Sequence, residues 1–345
     1  MSTDKNPVMT SVANKAMNNQ MHNHGIKKAA LVALLVLLFS MPVFLTVPYF
    51  LHLMILGLIW VVIAQGQNLI QGFTGYVSIA SAGFMGVGAY ASTLLALRLG
   101  VPVWVSLACA PFIAAVIAVF VGYPSLRVKG HYFAIVTLAY NLVIVIVLNN
   151  FTSLTGGEGG LTHVPRPEGF VFMGHQIAFD TREAYYYLVL LAAIFATALC
   201  ALILRSRVGQ ILLSIRQNET LAQAVGIETW RYKLFAFVMS GALAGLAGAL
   251  YAHFIGFLNP EPFGVDQSLN AILAVILGGS GTLAGPVVGA FLVIALPEYL
   301  RIADTLRLVV YGGLLILTTI YMPRGVVPLI SGAFTKLGAL FTKKG

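Results

Sequence analysis

Along this chain, polar positions come in short bursts between long apolar runs. The stretches 29–47, 50–70, 102–122, 131–149, 185–204, 234–257 and 308–322 each read as a membrane-spanning helix, because hydrocarbon about 30 Å thick needs roughly 20 helical residues to cross it. Two further runs are apolar but broken by glycine: 71–98, which begins QGFTGYVSIASAGFMGVGAY, and 271–297, which contains LGGSGTLAGPVVGA. Backbone that leaves the helix at membrane depth is tolerated only where protein or a water-filled cavity surrounds it. Paired broken segments in a transporter point to its substrate path. Gly72, Gly75, Gly278, Gly279 and Gly281 are therefore candidate path positions, with close helix packing as the alternative. Gly241-x-x-x-Gly245 and Gly285-x-x-x-Gly289 read as packing motifs. The pattern predicts an all-α, polytopic membrane protein with about 8–10 transmembrane helices and glycine-broken or re-entrant segments. Its membrane domain runs from 29 to 330, between a polar tail at 1–28, read as disordered, and a basic tail at 331–345.

Composition agrees and excludes a soluble domain. Of 345 residues, 59% are hydrophobic and 9% charged, against about 25% charged in soluble domains. The net charge of +9 is better read as membrane sidedness than as affinity for nucleic acid. With Lys28 placed inside and the sides alternating, fifteen of the twenty basic residues fall in the N-terminal tail, 123–130, 205–233 and the segment after 322. Treating 271–297 as a single crossing lowers that bias to thirteen against seven, so both termini are expected in the cytoplasm. The region 271–297 is short for two crossings and demands short, tilted or re-entrant helices. Cys109 and Cys200 lie in apolar runs and suggest neither a disulfide framework nor a metal site.

One stretch, SIRQNETLAQAVGI (214–227), is polar where its surroundings are oily. Leu212, Leu213 and Ile215, then Leu221, Ala222 and Val225, recur at roughly helical spacing, and Gly226 stands where a C-cap glycine would end a helix. The pattern predicts a short amphipathic helix on the cytoplasmic face, its apolar side against the bundle or in a partner's groove. On the other face, the loop 150–184 carries Glu158, Glu168, Asp180 and Glu183, and Glu261, Asp266, Glu298 and Asp304 bring that face to eight of eleven acids. It reads either as a docking surface for a soluble partner or as ordinary solvated loops. Glu298, Arg301, Asp304 and Arg307 are spaced to pair along one helix. His253 lies inside an apolar span, either as a path residue or as a satisfied bundle-facing one. No nucleophile triad, carboxylate pair or metal cluster emerges, so no enzyme is expected. The dipeptide Gly-Lys never occurs, so the phosphate loop of an ATPase is missing.

Glu219, Ala222, Ala224 and Gly226 resemble the Glu-Ala-Ala…Gly signature of ABC importer permeases. IRQNETLAQAVGI, followed by LFAFVMSGALAGLAGALYA, is similar in particular to branched-chain amino acid permeases of the LivM type. NLIQGFTGYVSIASAGFMGVGAYAS, LRVKGHYFAIVTLAY, LTGGEGGL, AVILGGSGTLAGPVVGA and MPRGV extend the resemblance from about Ile55 to Pro328. Thr220 and Leu221 stand where relatives often have small residues, and Asn141 where an acid is common. The resemblance implies a type II-like importer permease translocating leucine, isoleucine and valine. Its segment 205–233, around Arg216, Glu219, Ala222, Ala224 and Gly226, would seat in a cytoplasmic ATPase. It further implies a related permease as heterodimer partner, two ATPase subunits that carry the ATP and Mg, and an external amino-acid-binding protein. No cofactor would be bound by this chain. On that reading Glu219→Arg uncouples hydrolysis from uptake. Urea or another amide or amino acid as cargo, and an ion-gradient-driven secondary transporter, are the alternatives.

Overall fold

The computed structural model describes residues 38–42, 47–128, 130–172, 175–177, 181–299, 312, 313, 316 and 325–327. The expected tails 1–28 and 331–345, most of the spans 29–47 and 308–322, and Asp180, Arg301, Asp304 and Arg307 lie outside them. The chain divides into two units, Met1–Leu51 and His52–Gly345. Of the first, 38–42 and the start of a helix at Pro48 are described.

The remaining helices follow in order: α1 (Pro48–Gln67), prolonged by a π-helical turn at Asn68–Gly72, α2 (Ser81–Leu99), α3 (Val103–Ser125), α4 (His131–Asn150), α5 (Arg182–Arg205), α6 (Arg207–Gln217), α7 (Glu219–Ala224), α8 (Thr229–Ile255), α9 (Val265–Gly278) and α10 (Ala284–Tyr299). A two-stranded antiparallel ribbon, Phe170–Phe172 with His175–Ile177, is the small exception to an all-α fold. Among the described residues, six helices are long and apolar enough to cross a membrane: α1 with its π turn, α2, α3, α4, α5 and α8. This is a polytopic membrane protein. The run 71–98 differs from expectation: its break, 73–80, precedes a full-length spanning helix instead of interrupting one. The run 271–297 does resolve into two short helices.

Helices in lipid gain little from hydrophobicity alone and associate by close packing, which favours small residues at contacts. The central helix α8 obeys this rule. A methyl group added at Gly88 of α2 would run into the backbone of Gly245, and one added at Gly245 would strike Ala114 of α3. Phe84 beside Gly241, Gly88 beside Gly245 and Ser92 bonded to His253 make α2 parallel to α8. Gly66 beside Ser240 and His52 beside Phe254 make α1 antiparallel to it, and Gly241 beside Ala118 does the same for α3. The helices α4 and α5 are peripheral: 22% and 28% of their most apolar windows are buried, against 61% for α8. Their exposed Ile135, Phe195 and Leu202 are surface for lipid or another subunit.

The fold thus has a glycine end, where α1, α3 and α5 finish and α2, α4 and α8 begin, and an opposite loop end. At the loop end Leu161 and Leu258 exchange backbone hydrogen bonds (2.7 and 2.9 Å), and Trp104 Nε1 donates to Glu168 O at 2.9 Å. The expected acidic loop 150–184 is therefore partly tied down, while Glu158, Glu168 and Glu183 remain exposed. The segment 256–264 folds inward, burying Phe263 completely against Gly86, Tyr90 and Tyr251. The helix α9 consequently starts inside the bundle. It returns through α10 as an antiparallel hairpin, with Gly278 against Gly285 and Gly289 against Ala274.

Candidate functional site at the glycine end

The polar segment is two helices, not the single one that the periodicity suggested. Asn218 stops α6 in an extended conformation and caps α7 through its side chain, which accepts from Leu221 N at 3.0 Å. At the far end Gly226 adopts φ +87°, a left-handed conformation open to glycine. Gly226 N donates to Gln223 O (3.0 Å) and Ile227 N to Ala222 O (3.1 Å), which is a Schellman stop.

Glu219, at the start of α7, faces inward. Its carboxylate accepts from Lys233 Nζ (2.7 Å), Tyr76 Oη (2.5 Å) and Thr229 Oγ1 (3.1 Å), which gathers α7, the head of α8 and the 73–80 break at one point. The Lys233 side chain is 3% exposed and that of Glu219 18%. The ammonium also donates to Tyr76 Oη (3.1 Å) and lies 4.3 Å from the centre of the Tyr76 ring. Burial pushes the Glu219 carboxyl up, but hydrogen bonds from Lys233, Tyr76 and Thr229 and the Lys233 charge outweigh it and hold the group below its ordinary value. Glu219 is an anchor, and Ala222 is buried beneath it. Ala224 and Gly226 are exposed, and so are Leu221 (63%) and Val225 (70%), which the periodicity had assigned to the same apolar face as Ala222. One helical turn apart, those two form an apolar pair pointing away from the protein.

Arg216, in the last turn of α6, donates from Nη1 to Gly72 O. Its side chain passes Gly75 and reaches Gly281, where an added Cβ would collide with Nη1. The two glycine-broken runs meet here. Asn68 holds them together: its Oδ1 accepts from Gly281 N (3.0 Å) and its Nδ2 donates to Thr282 O (2.8 Å). Gln65 Nε2 donates to Leu283 O at 2.9 Å. Gln67 Nε2 donates to Ser78 O at 3.0 Å, and Gln67 Oε1 accepts from Ser81 Oγ at 2.5 Å. Non-helical backbone buried in protein must find such partners. Gly325, from the MPRGV block, packs onto Gly278 and Gly279 from a third direction.

Of the candidate path residues, Gly72, Gly75, Gly279 and Gly281 gather at this junction and Gly278 packs backbone to backbone with Gly285. His253 sits apart and is fully buried. Its ring nitrogens are engaged by Pro165 O (2.6 Å) and Ser92 Oγ (2.8 Å), so it ties α8 to α2 and the loop end. Of the two readings offered for His253, these partners favour the satisfied, bundle-facing one. A cavity of about 300 Å³ lies elsewhere, with an apolar wall of Leu53, Leu56, Trp60, Met85, Val293 and Ile294. Tyr251, Gln267, Asn270 and Glu298 supply its polar lining, and none of the six path candidates reaches it.

Tyr76, Lys233, Thr229 and Asn68 were not singled out from sequence. For Asn68 a signal was present: four amide side chains, Gln65, Gln67, Asn68 and Gln71, crowd the end of an otherwise apolar span.

A spanning bundle with no phosphate loop and an outward-facing helix beside two broken segments defines a membrane transport subunit. The comparisons name its family. The profile described as branched-chain amino acid transport system / permease component matches residues 49–319, and the chain belongs to that family. It is 32% identical to the high-affinity branched-chain amino acid transport system permease protein LivM of Escherichia coli, over 88% of this chain and 75% of the relative. LivH of the same organism is 27% identical over 79% of this chain and 92% of its own length. A probable LivM of Methanocaldococcus jannaschii is 23% identical over 61% of this chain. No solved structure matches the chain.

Proposed function

We propose that this chain is one membrane subunit of an ATP-driven importer that carries leucine, isoleucine and valine inward across the bacterial inner membrane. The observation that carries the proposal is α7. Its inner side is bound into the body by the pairing of Glu219 with the buried Lys233, while Leu221 and Val225 stand exposed on the other side. A helix fixed at its base with an apolar outer pair suits a cleft on a partner. A chain without a phosphate loop needs that partner to hydrolyse ATP, with its Mg, on its behalf. The glycine end then faces the cytoplasm, where two ATPase subunits sit. A related permease completes the membrane pair, and an external binding protein delivers cargo to the acidic loop end. The substrate assignment rests on the LivM and LivH relatives.

The cavity beside Trp60 supplies a further element. Its aliphatic wall suits a branched side chain, and Gln267, Asn270 and Glu298 suit an amino acid's charged groups. We place substrate contact there, and the glycine junction in coupling. The test is uptake into vesicles holding this chain with its permease, ATPase and binding-protein partners. ATP-dependent uptake of leucine, competed by isoleucine and valine but not by urea, is the expected result. Uptake of urea alone would transfer the chain to an amide importer. Leucine uptake that ignores ATP and follows an ion gradient would refute the proposal.

A further inference from the structure

We infer that Arg216 is the residue through which the docking segment acts on both glycine-broken turns; the inference rests on the importer reading above. The geometry is a closed ring. Arg216 Nη1 bonds Gly72 O, Gly72 closes the π turn that begins at Asn68, Asn68 holds Gly281 and Thr282, and Gly281 lies against the Arg216 guanidinium. Three residues after Arg216 the chain enters α7, the helix offered to the ATPase.

Two physical facts make this ring a transmission element as well as a packing detail. The carbonyls at the end of a helix lack intrahelical partners and carry its negative dipole end, so a guanidinium there makes a charge-assisted bond. Pulling Arg216 away would leave the Gly72 carbonyl without that bond, so the end of α1 is drawn along. The turn between α9 and α10 is tied to the same point: Gly281, at φ +80°, donates its N–H to Asn68 Oδ1, and it packs so closely that an added Cβ would strike Arg216 Nη1 and come 3.0 Å from Gly72 O. Arg216 reaches both turns and acts as a positioning residue.

The experiment compares Arg216→Met, Arg216→Lys and Leu221→Asp in the full reconstituted complex. Three readouts are taken: ATPase subunits retained after purification, leucine taken up per ATP hydrolysed, and the nucleotide-dependent change in amide exchange at 219–226 and 279–283. Arg216→Met is expected to keep the ATPase bound and the nucleotide response at 219–226. It should lose the response at 279–283 and lower uptake per ATP about tenfold, the worth of one charge-assisted bond. Arg216→Lys, which keeps a cationic donor, should recover part of that loss. Leu221→Asp is expected to release the ATPase. Unchanged uptake per ATP in Arg216→Met, or a response at 279–283 that survives, would overturn the inference. Loss of the ATPase from Arg216→Met would overturn it too, by making Arg216 a docking residue. Retention of the ATPase by Leu221→Asp would instead count against the importer reading's docking helix.

Discussion

Replacing Glu219 with methionine is the sharpest way to disturb the base of α7. The substitution leaves the Lys233 ammonium, 3% exposed, without its counter-ion. Removing one partner of a buried pair costs about 3–5 kcal/mol. The Tyr76 hydroxyl and ring face stay beside Lys233, which places the cost at the low end, about 3 kcal/mol. Because Glu219 holds α7 to both α8 and the 73–80 break, that cost falls on the local opening of α7 more than on the whole bundle. The assay is amide exchange at Ala222, Val225 and Ile227, whose N–H groups bond Asn218 O, Leu221 O and Ala222 O. Their exchange should quicken by roughly 100-fold, since about 1.4 kcal/mol is one decade. Lys233→Met should cost less, about 1–2 kcal/mol, because Glu219 keeps Tyr76 and Thr229 as donors and some solvent. The double variant should cost less than the sum of the two. Wild-type exchange at these amides in Glu219→Met would refute the reasoning. Glu219→Arg, read from sequence as an uncoupling change, would set a second cation against Lys233 and should unseat α7 altogether.

Gly281→Ala forces φ +80° on a side chain that meets Arg216 and comes 3.0 Å from Gly72 O. It should lower the thermal midpoint in detergent and abolish uptake, whereas Gly264→Ala, with its nearest contact at 3.5 Å, should do neither. Gly88→Leu drives a side chain into the Gly245 backbone. It should separate α2 from α8 at a cost beyond the usual 1–3 kcal/mol of overpacking, read as loss of folded protein after extraction. Because the Glu219 carboxyl is held below its ordinary value, the stability it lends is fully present above about pH 4.3 and fades as pH falls through its lower folded value. Exchange at 222–227 should therefore be insensitive to pairing effects from pH 8 to 5 and rise in Glu219-dependent fashion only in stronger acid.

Among the described residues, the spans read at 50–70, 102–122, 131–149, 185–204 and 234–257 were legible because length and apolarity decide them, and the observed ends fall within a few residues of the reading. For 185–204, for instance, the helix is Arg182–Arg205. The break at Asn218 was legible in principle: an Asn followed by an acid in the next turn is a helix start, yet apolar spacing across it suggested continuity. What periodicity cannot say is which way a face points. Leu221, Ala222 and Val225 look alike in sequence, but Ala222 is buried and the other two are not, because Glu219 fixes the rotation of α7. Glu219 itself was singled out for contact with a partner, and its inward role depended on Lys233 and on Tyr76, a residue 143 positions away. No local pattern pairs such residues. His253 shows the same limit: its place in an apolar span alone marked it, and the partners that satisfy it come from α2 and from the loop end.

The most direct measurement of the central claim places a photo-crosslinker at Val225, on the outer face of α7, and separately at Glu183, exposed at the loop end, in the intact complex. The account predicts an adduct with the ATPase subunit from Val225 and none from Glu183. An ATPase adduct from Glu183 with none from Val225 would contradict it, by putting the motor at the wrong end of the protein.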